Sequence, residues 1–108
     1  MTDREMLELA ANAAGIEHLG GEYCVSGSEL WDIDGKKWWR PLTNDGDALR
    51  LAAKLSMRID ICMNVGCAAR YGADLENVIY VGIDSENDLL SATRRAIVRA
   101  AAQIGAQM

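Results

Sequence analysis

The chain has 108 residues, half of them apolar and a quarter charged, and its 16 acidic and 11 basic side chains give a net charge of −5. This length and composition predict one globular domain spanning residues 1–108. Domains that bind DNA or RNA usually carry a basic excess, so the acidic balance argues against a nucleic-acid partner. No apolar run reaches the roughly 20 residues needed to cross a bilayer, which argues against a membrane partner.

Cysteine and histidine are too few and too badly spaced for a metal site. The three cysteines, Cys24, Cys62 and Cys67, leave an odd thiol under any pairing, and no apolar leader is visible at the N-terminus. Reduced thiols in the cytoplasm are therefore expected. Cys62 and Cys67 lack the close spacing of a zinc pair, and His18 is the only imidazole. We predict no metal, no cofactor and no disulfide.

The N-terminal third predicts a helix followed by short strands. Thr2 and Glu5 form a capping-box pattern ahead of an amphipathic stretch that Gly15 would end. Residues 23–25 then read as a short strand. The Asp34-Gly35 pair is a two-residue turn signal, and it predicts a β-hairpin over residues 30–40.

Residues 38–55 contain a predicted strand and a predicted helix joined by a short turn. Trp38 and Trp39 are adjacent, so in a strand their side chains point to opposite faces. Pro41 ends the strand, and Thr43 or Asn44 can cap the following helix. Asp47 lies in its first turn, where a negative charge suits the helix dipole. The buried stripe is Ala48, Leu51, Ala52 and Leu55.

The remainder predicts two strands and a closing helix. Residues 58–65 alternate apolar and polar side chains, whereas residues 66–76 read as a loop with a helical turn at most. Residues 78–83 are apolar on both faces, which indicates cover on both sides of the sheet. The last helix is predicted to begin at Ser85 and to end at Gly105.

The order of these elements predicts the fold class. It runs helix, hairpin, helix, strand, strand, helix, and three helices can divide between the two faces of one sheet. We therefore predict an α+β protein, an α/β/α sandwich with a small, largely antiparallel sheet and helices on both faces.

Three stretches of the chain resemble a known family. WRPLTNDGDALRLAAKL, TDREMLELAANAAG and ATRRAIVRAAAQIG are similar to small phage and prophage proteins described as the phage ABA sandwich domain. The likeness covers most of the chain, although Arg40 stands where a polar residue such as Asn is expected. The resemblance implies a phage or prophage origin and a helix–sheet–helix sandwich. It implies no activity, since the family has no known function and supplies no catalytic residues.

Few side chains in the sequence are candidates for catalysis or ligand binding. Asp32 and Asp34 would share one face of a strand, and His18 could act as a base, so a small enzyme with a site at these residues is one hypothesis. The alternative for the two aspartates is a solvated hairpin end. Arg94, Arg95 and Arg99 could grip phosphate, or they could simply complement the dipole of the last helix.

The main hypothesis is a protein–protein interaction module that binds or inhibits a host or phage protein. Trp31, Trp38 and Trp39 would lie together on the hairpin, and tryptophan is enriched where interfaces concentrate binding energy. We therefore predict a homodimer or a partner site built on the hairpin. The alternative is that helices bury all three indoles and that they belong to the core.

Overall fold

The computed structural model describes residues 2–16, 23–26, 29–32, 37–86 and 88–108. The helices within these ranges are α1 (Asp3–Ala14), α2 (Asp45–Lys54), α3 (Ile83–Glu86) and α4 (Leu89–Ala106). The strands are β1 (Tyr23–Ser26), β2 (Glu29–Asp32), β3 (Lys37–Trp39), β4 (Arg58–Cys62), β5 (Gly66–Tyr71) and β6 (Asn77–Gly82).

Helix α4 is the hub of the fold, because it is buried on two sides. One side packs on the β4–β6 sheet through three alanines spaced four residues apart, Ala92, Ala96 and Ala100. The other side packs on α1 and α2 through Ile97, Val98, Ala101 and Ala102. Small side chains on the first side let the helix lie close to the sheet, and the second side completes a layer of helices.

Both described sheets are antiparallel, which confirms the predicted α+β class. The first has the order β1-β2-β3 and the second has the order β4-β5-β6. Neighbouring strands in each sheet follow one another along the chain, so short connections suffice. Helix α1 contacts β1 and β2, whereas α4 contacts the second sheet.

The local signals for both ends of α1 and for the start of α2 are confirmed. The side chain of Thr2 accepts a hydrogen bond from the Glu5 amide, and Gly15 ends α1 in the left-handed conformation. Of the two candidate caps for α2, Asn44 is the residue whose side chain accepts from the Asp47 amide, at 2.8 Å. The start of the last helix differs from the prediction: residues 83–86 form the separate short helix α3, and Asp88 caps α4.

Two sequence-based interpretations were wrong. Residues 66–71 form the central strand of the second sheet rather than a loop. Cys67 and Ala69 are small and buried against the alanines of α4, and this burial outweighs the weak strand propensity of alanine. Gly105 lies inside α4 and is buried against α1 instead of ending the helix.

The two faces of the β4–β6 sheet differ in burial. Cys67, Ala69 and Val81 face α4 and are buried, whereas Val78 and Tyr80 on the opposite face are 48% and 54% exposed. The described helices therefore cover one face of the β4–β6 sheet. The apolar residues of β6 indicated cover on both sides, but on the outer side a tyrosine and a valine stand next to charged neighbours.

Candidate interaction surfaces

The predicted enzyme residues fall largely outside the described part of the chain. His18 and Asp34 lie outside the described residues. Asp32 is the last residue of β2, where its Cα pairs with that of Lys37. Within the described residues, no group of three or more His, Cys, Asp or Glu could hold a metal ion.

The tryptophans of the hairpin differ in their surroundings. The Cα atoms of Trp31 and Trp38 are paired between β2 and β3. The side chain of Trp38 is 41% exposed, whereas Trp39 is partly buried against the core formed by α1, α2 and α4. Trp39 also borders a cleft of about 340 Å³ whose other walls include Ile16, Leu51 and Lys54. Adjacent indoles thus lie in different environments, one more open than the other.

The polar turn before α2 acts in capping. Besides the Asn44 cap, a carboxylate oxygen of Asp47 accepts a hydrogen bond from the Arg40 amide at 3.0 Å. The other oxygen of Asp47 accepts from the Arg50 guanidinium at 2.6 Å. Thr43 is exposed beside this turn. Asp47 therefore ties the end of the hairpin to the helix that follows it, and its oxygens are already engaged by nitrogen donors.

Two of the three arginines considered for phosphate binding have structural partners. Arg94 donates to the Leu42 carbonyl oxygen at 2.8 Å and pairs with Asp45, which joins α4 to the turn before α2. Arg95 donates to both carboxylate oxygens of Asp3, at 2.8 and 3.3 Å. These bonds hold the pKa of Asp3 below its ordinary value, against the opposing effect of burial. Arg99 is exposed and borders a cleft of about 260 Å³ with Met6, Ile79 and Gln103.

The outer side of the β4–β6 sheet is an uncovered surface, which we call the open face. Its members stand in register across the three strands: Arg58, Arg70 and Val78 in one row, and Asp60, Ala68 and Tyr80 in the next. Val78 and Tyr80 lie on β6, the charged residues Arg58 and Asp60 lie on β4, and the middle strand β5 contributes Arg70 and Ala68. The open face is therefore a flat apolar strip with a charged rim, a pattern typical of a binding surface.

Gly66, at the end of the open face, leaves space for the Tyr80 side chain. A Cβ on Gly66 would lie 3.0 Å from the Tyr80 hydroxyl and would overlap the Val81 carbonyl oxygen. The Tyr80 hydroxyl donates to the Val65 carbonyl oxygen at 3.1 Å, which fixes the ring over the sheet. The ring is still 54% exposed. A fixed and exposed aromatic ring loses little entropy when a partner covers it.

The charges at the rim of the open face compensate one another. Asp60 accepts from the Nε atoms of Arg58 and Arg70, each at 3.3 Å. The two guanidinium groups and one carboxylate leave a small local excess of positive charge. This rim does not form the basic stripe that a nucleic-acid backbone requires.

A second apolar surface runs along β4, and we call it the edge trough. It is a cavity of about 290 Å³ between α2 and β4, with the first half of α4 as its floor. It is lined by the apolar side chains of Leu49, Ile59, Ile61, Leu90 and Ile97, by Ala48 and Thr93, and by the ion pair of Asp45 and Arg94. Leu49, Ile61 and Leu90 are 67%, 55% and 58% exposed. Three large apolar side chains gathered at one cavity and each more than half exposed are uncommon on a surface that meets only water.

Comparison with known proteins gives no match, since no family model, no curated protein and no solved structure is detectably similar to the chain. Among the described residues, no helix is long and apolar enough to cross a membrane.

Neither the open face nor the edge trough was predicted from the sequence. The alternation of Val78 and Tyr80 along β6 was visible, but it was read as a buried strand. Leu49 and Leu90 lie on separate helices, and only the fold brings both of them beside Ile61.

Proposed function

We propose that this chain is a protein–protein interaction module that binds a host or phage protein through its open face. The supporting observation is the flat strip of Val78, Tyr80 and Ala68 beside the charged rim of Asp60 and its two arginines. Interfaces combine such an apolar centre with a polar rim.

The origin and setting of the module are part of the proposal. The resemblance to the phage ABA sandwich proteins supports a phage or prophage origin, and therefore the cytoplasm of a bacterial host as the place of action. Binding or inhibition of a host factor fits a small acidic chain whose sequence carries no recognised catalytic motif. The alternative is a small enzyme with a site at Asp32, Asp34 or His18, whose side chains lie outside the described part of the chain.

Affinity capture with matched variants tests the proposal. Tagged chain is incubated with bacterial extract, and the proteins it retains are identified and then purified for direct binding. Val78→Glu and Tyr80→Glu place charge on the apolar strip and should abolish capture. Met108→Glu places the same charge on an exposed apolar side chain that lines neither surface, and it should leave capture unchanged. The proposal fails if the Val78 and Tyr80 variants, shown to be folded by circular dichroism, retain the same protein at the same affinity.

A further inference from the structure

We propose that a second copy of this chain binds at the edge trough. In this dimer the β4 strands of the two copies pair antiparallel across a twofold axis, and the two three-stranded sheets become one sheet of six. The site is separate from the apolar strip of the open face, so this inference does not depend on the partner proposed above.

The chemistry of the edge selects a strand as the occupant. Among the described strands, β4 pairs only with β5, so its other side presents unpaired backbone N–H and C=O groups. A strand placed there accepts and donates the missing hydrogen bonds and projects every second side chain over the trough. A helix seated in the trough would cover the apolar residues but would leave the strand edge unpaired. Only a strand satisfies both features at once.

The β4 strand of a second copy has the side chains that this position needs. Ile59 and Ile61 line the trough, while Arg58 and Asp60 project to the other face of the sheet. When the twofold axis passes through Ile59, Arg58 of each copy stands opposite Asp60 of the other copy. Opposite charges in directly paired positions stabilise antiparallel strands.

The same charges select the register. The helices of both copies stay on the same face of the joined sheet only if the twofold axis passes through a residue of β4. The alternative registers therefore place the axis on a different residue of that strand. An axis through Asp60 would put two carboxylates opposite each other, and an axis through Arg58 would put two guanidinium groups opposite each other. Like charges in paired positions are destabilising, so the axis through Ile59 is favoured over both neighbours.

Apolar burial would supply the main driving force. Leu49, Ile61 and Leu90 are each more than half exposed in one chain, and the twofold axis brings the two troughs together. Removal of these side chains from water favours association in proportion to the area covered. The hairpin is a weaker dimer site, because Trp39 is already partly packed against the core of its own chain.

Complementary charge reversal tests this dimer. The variants are Arg58→Asp, which gives a β4 strand with two acids, and Asp60→Arg, which gives a strand with two bases. Sedimentation velocity at 5–200 µM, as a rough working range, gives the mass of each variant alone and of an equimolar mixture. A size tag on one variant identifies mixed dimers by native mass spectrometry. Arg4→Asp is the control, because it changes the charge by the same amount on an exposed side chain of α1.

We expect a dimer for the wild type and for Arg4→Asp, monomers for each β4 variant alone, and a one-to-one heterodimer in their mixture. Ile61→Lys, which adds a charge to the edge trough without touching the pair, should also be monomeric, and circular dichroism checks that it is folded. A monomeric wild type over the whole range would overturn the inference. A dimer that survives both β4 variants and Ile61→Lys would overturn it too, and would point to the hairpin instead.

Discussion

Gly105 of α4 lies against Leu9 of α1, so close that a methyl group on Gly105 would overlap the Leu9 carbonyl oxygen. The two helices meet backbone to backbone at this point, and their crossing needs a residue without a side chain. An alanine elsewhere in a helix interior is more favourable than glycine by about 1 kcal/mol. At Gly105 the clash should outweigh that gain.

Gly105→Ala should therefore destabilise the protein by about 1–3 kcal/mol, the usual cost of overpacking a core. The measurement is the free energy of unfolding in urea. Gly46→Ala in α2 is the matched control, because the nearest atoms that a Cβ would meet there belong to the Asn44 and Arg50 side chains, at 3.2–3.3 Å, and not to the backbone. It should be neutral or stabilising. A gain of stability for Gly105→Ala would show that the helices are not in this close contact.

The cap of α2 should depend on Asn44 rather than on Thr43. Asn44→Ala removes the acceptor for the Asp47 amide and should cost about 1 kcal/mol, which lowers the melting midpoint by several degrees in a domain of this size. Thr43→Ala, one residue away and equally exposed, is the control. Equal losses for the two variants, measured by thermal melting, would contradict the assignment of Asn44 as the cap.

Acid should weaken the junction between α1 and α4. The Arg95 guanidinium lowers the pKa of Asp3 in the folded chain below its ordinary value of 3.8. The ionised carboxylate therefore stabilises the fold fully above the ordinary value, and this contribution is lost as the pH falls through the lower, folded pKa.

Asp3→Asn should lower the melting midpoint near neutral pH and flatten its fall between about pH 5 and pH 2. Asp74→Asn makes the same chemical change in the connection before β6, away from α4, and should follow the wild-type curve. If Asp3→Asn keeps the full acid dependence of the wild type, Asp3 is not ionically coupled to Arg95.

Cys62 and Cys67 should differ in reactivity towards alkylating reagents. Cys62 is exposed, whereas Cys67 is buried under α4, and burial raises the pKa of the Cys67 thiol. The thiolate is the reactive form, so both access and ionisation protect Cys67. In a Cys24→Ser background, iodoacetamide should label Cys62 in the folded protein and Cys67 only after denaturation. Peptide mass spectrometry distinguishes the two sites, and labelling of both at similar rates in the folded chain would refute the burial of Cys67.

Both ends of α1 and the start of α2 could be predicted because their signals are local, whereas both ends of α4 were predicted wrongly. Thr2, Gly15 and Asn44 act within three residues of their own positions, and the sequence displays such patterns directly. The identity of β5 could not be predicted, because Cys67 and Ala69 are small only in response to α4, which lies more than 20 residues further along the chain.

The surfaces were harder still to predict. An apolar residue on a strand does not reveal whether a helix of the same chain or another molecule will cover it. Val78 and Tyr80 looked like core for this reason. The edge trough combines Leu49, Ile61 and Leu90 from three elements, and no spacing in the sequence joins them.

Site-specific photocrosslinking in bacterial cells tests most directly whether the open face binds another protein. A photoreactive phenylalanine is placed at Val78 in the centre of the apolar strip, with Gln103 on the exposed side of α4 as the control position. We expect one discrete adduct with a protein other than this chain from position 78 and none from position 103. Absence of any adduct at position 78, or the same adducts from both positions, would contradict it.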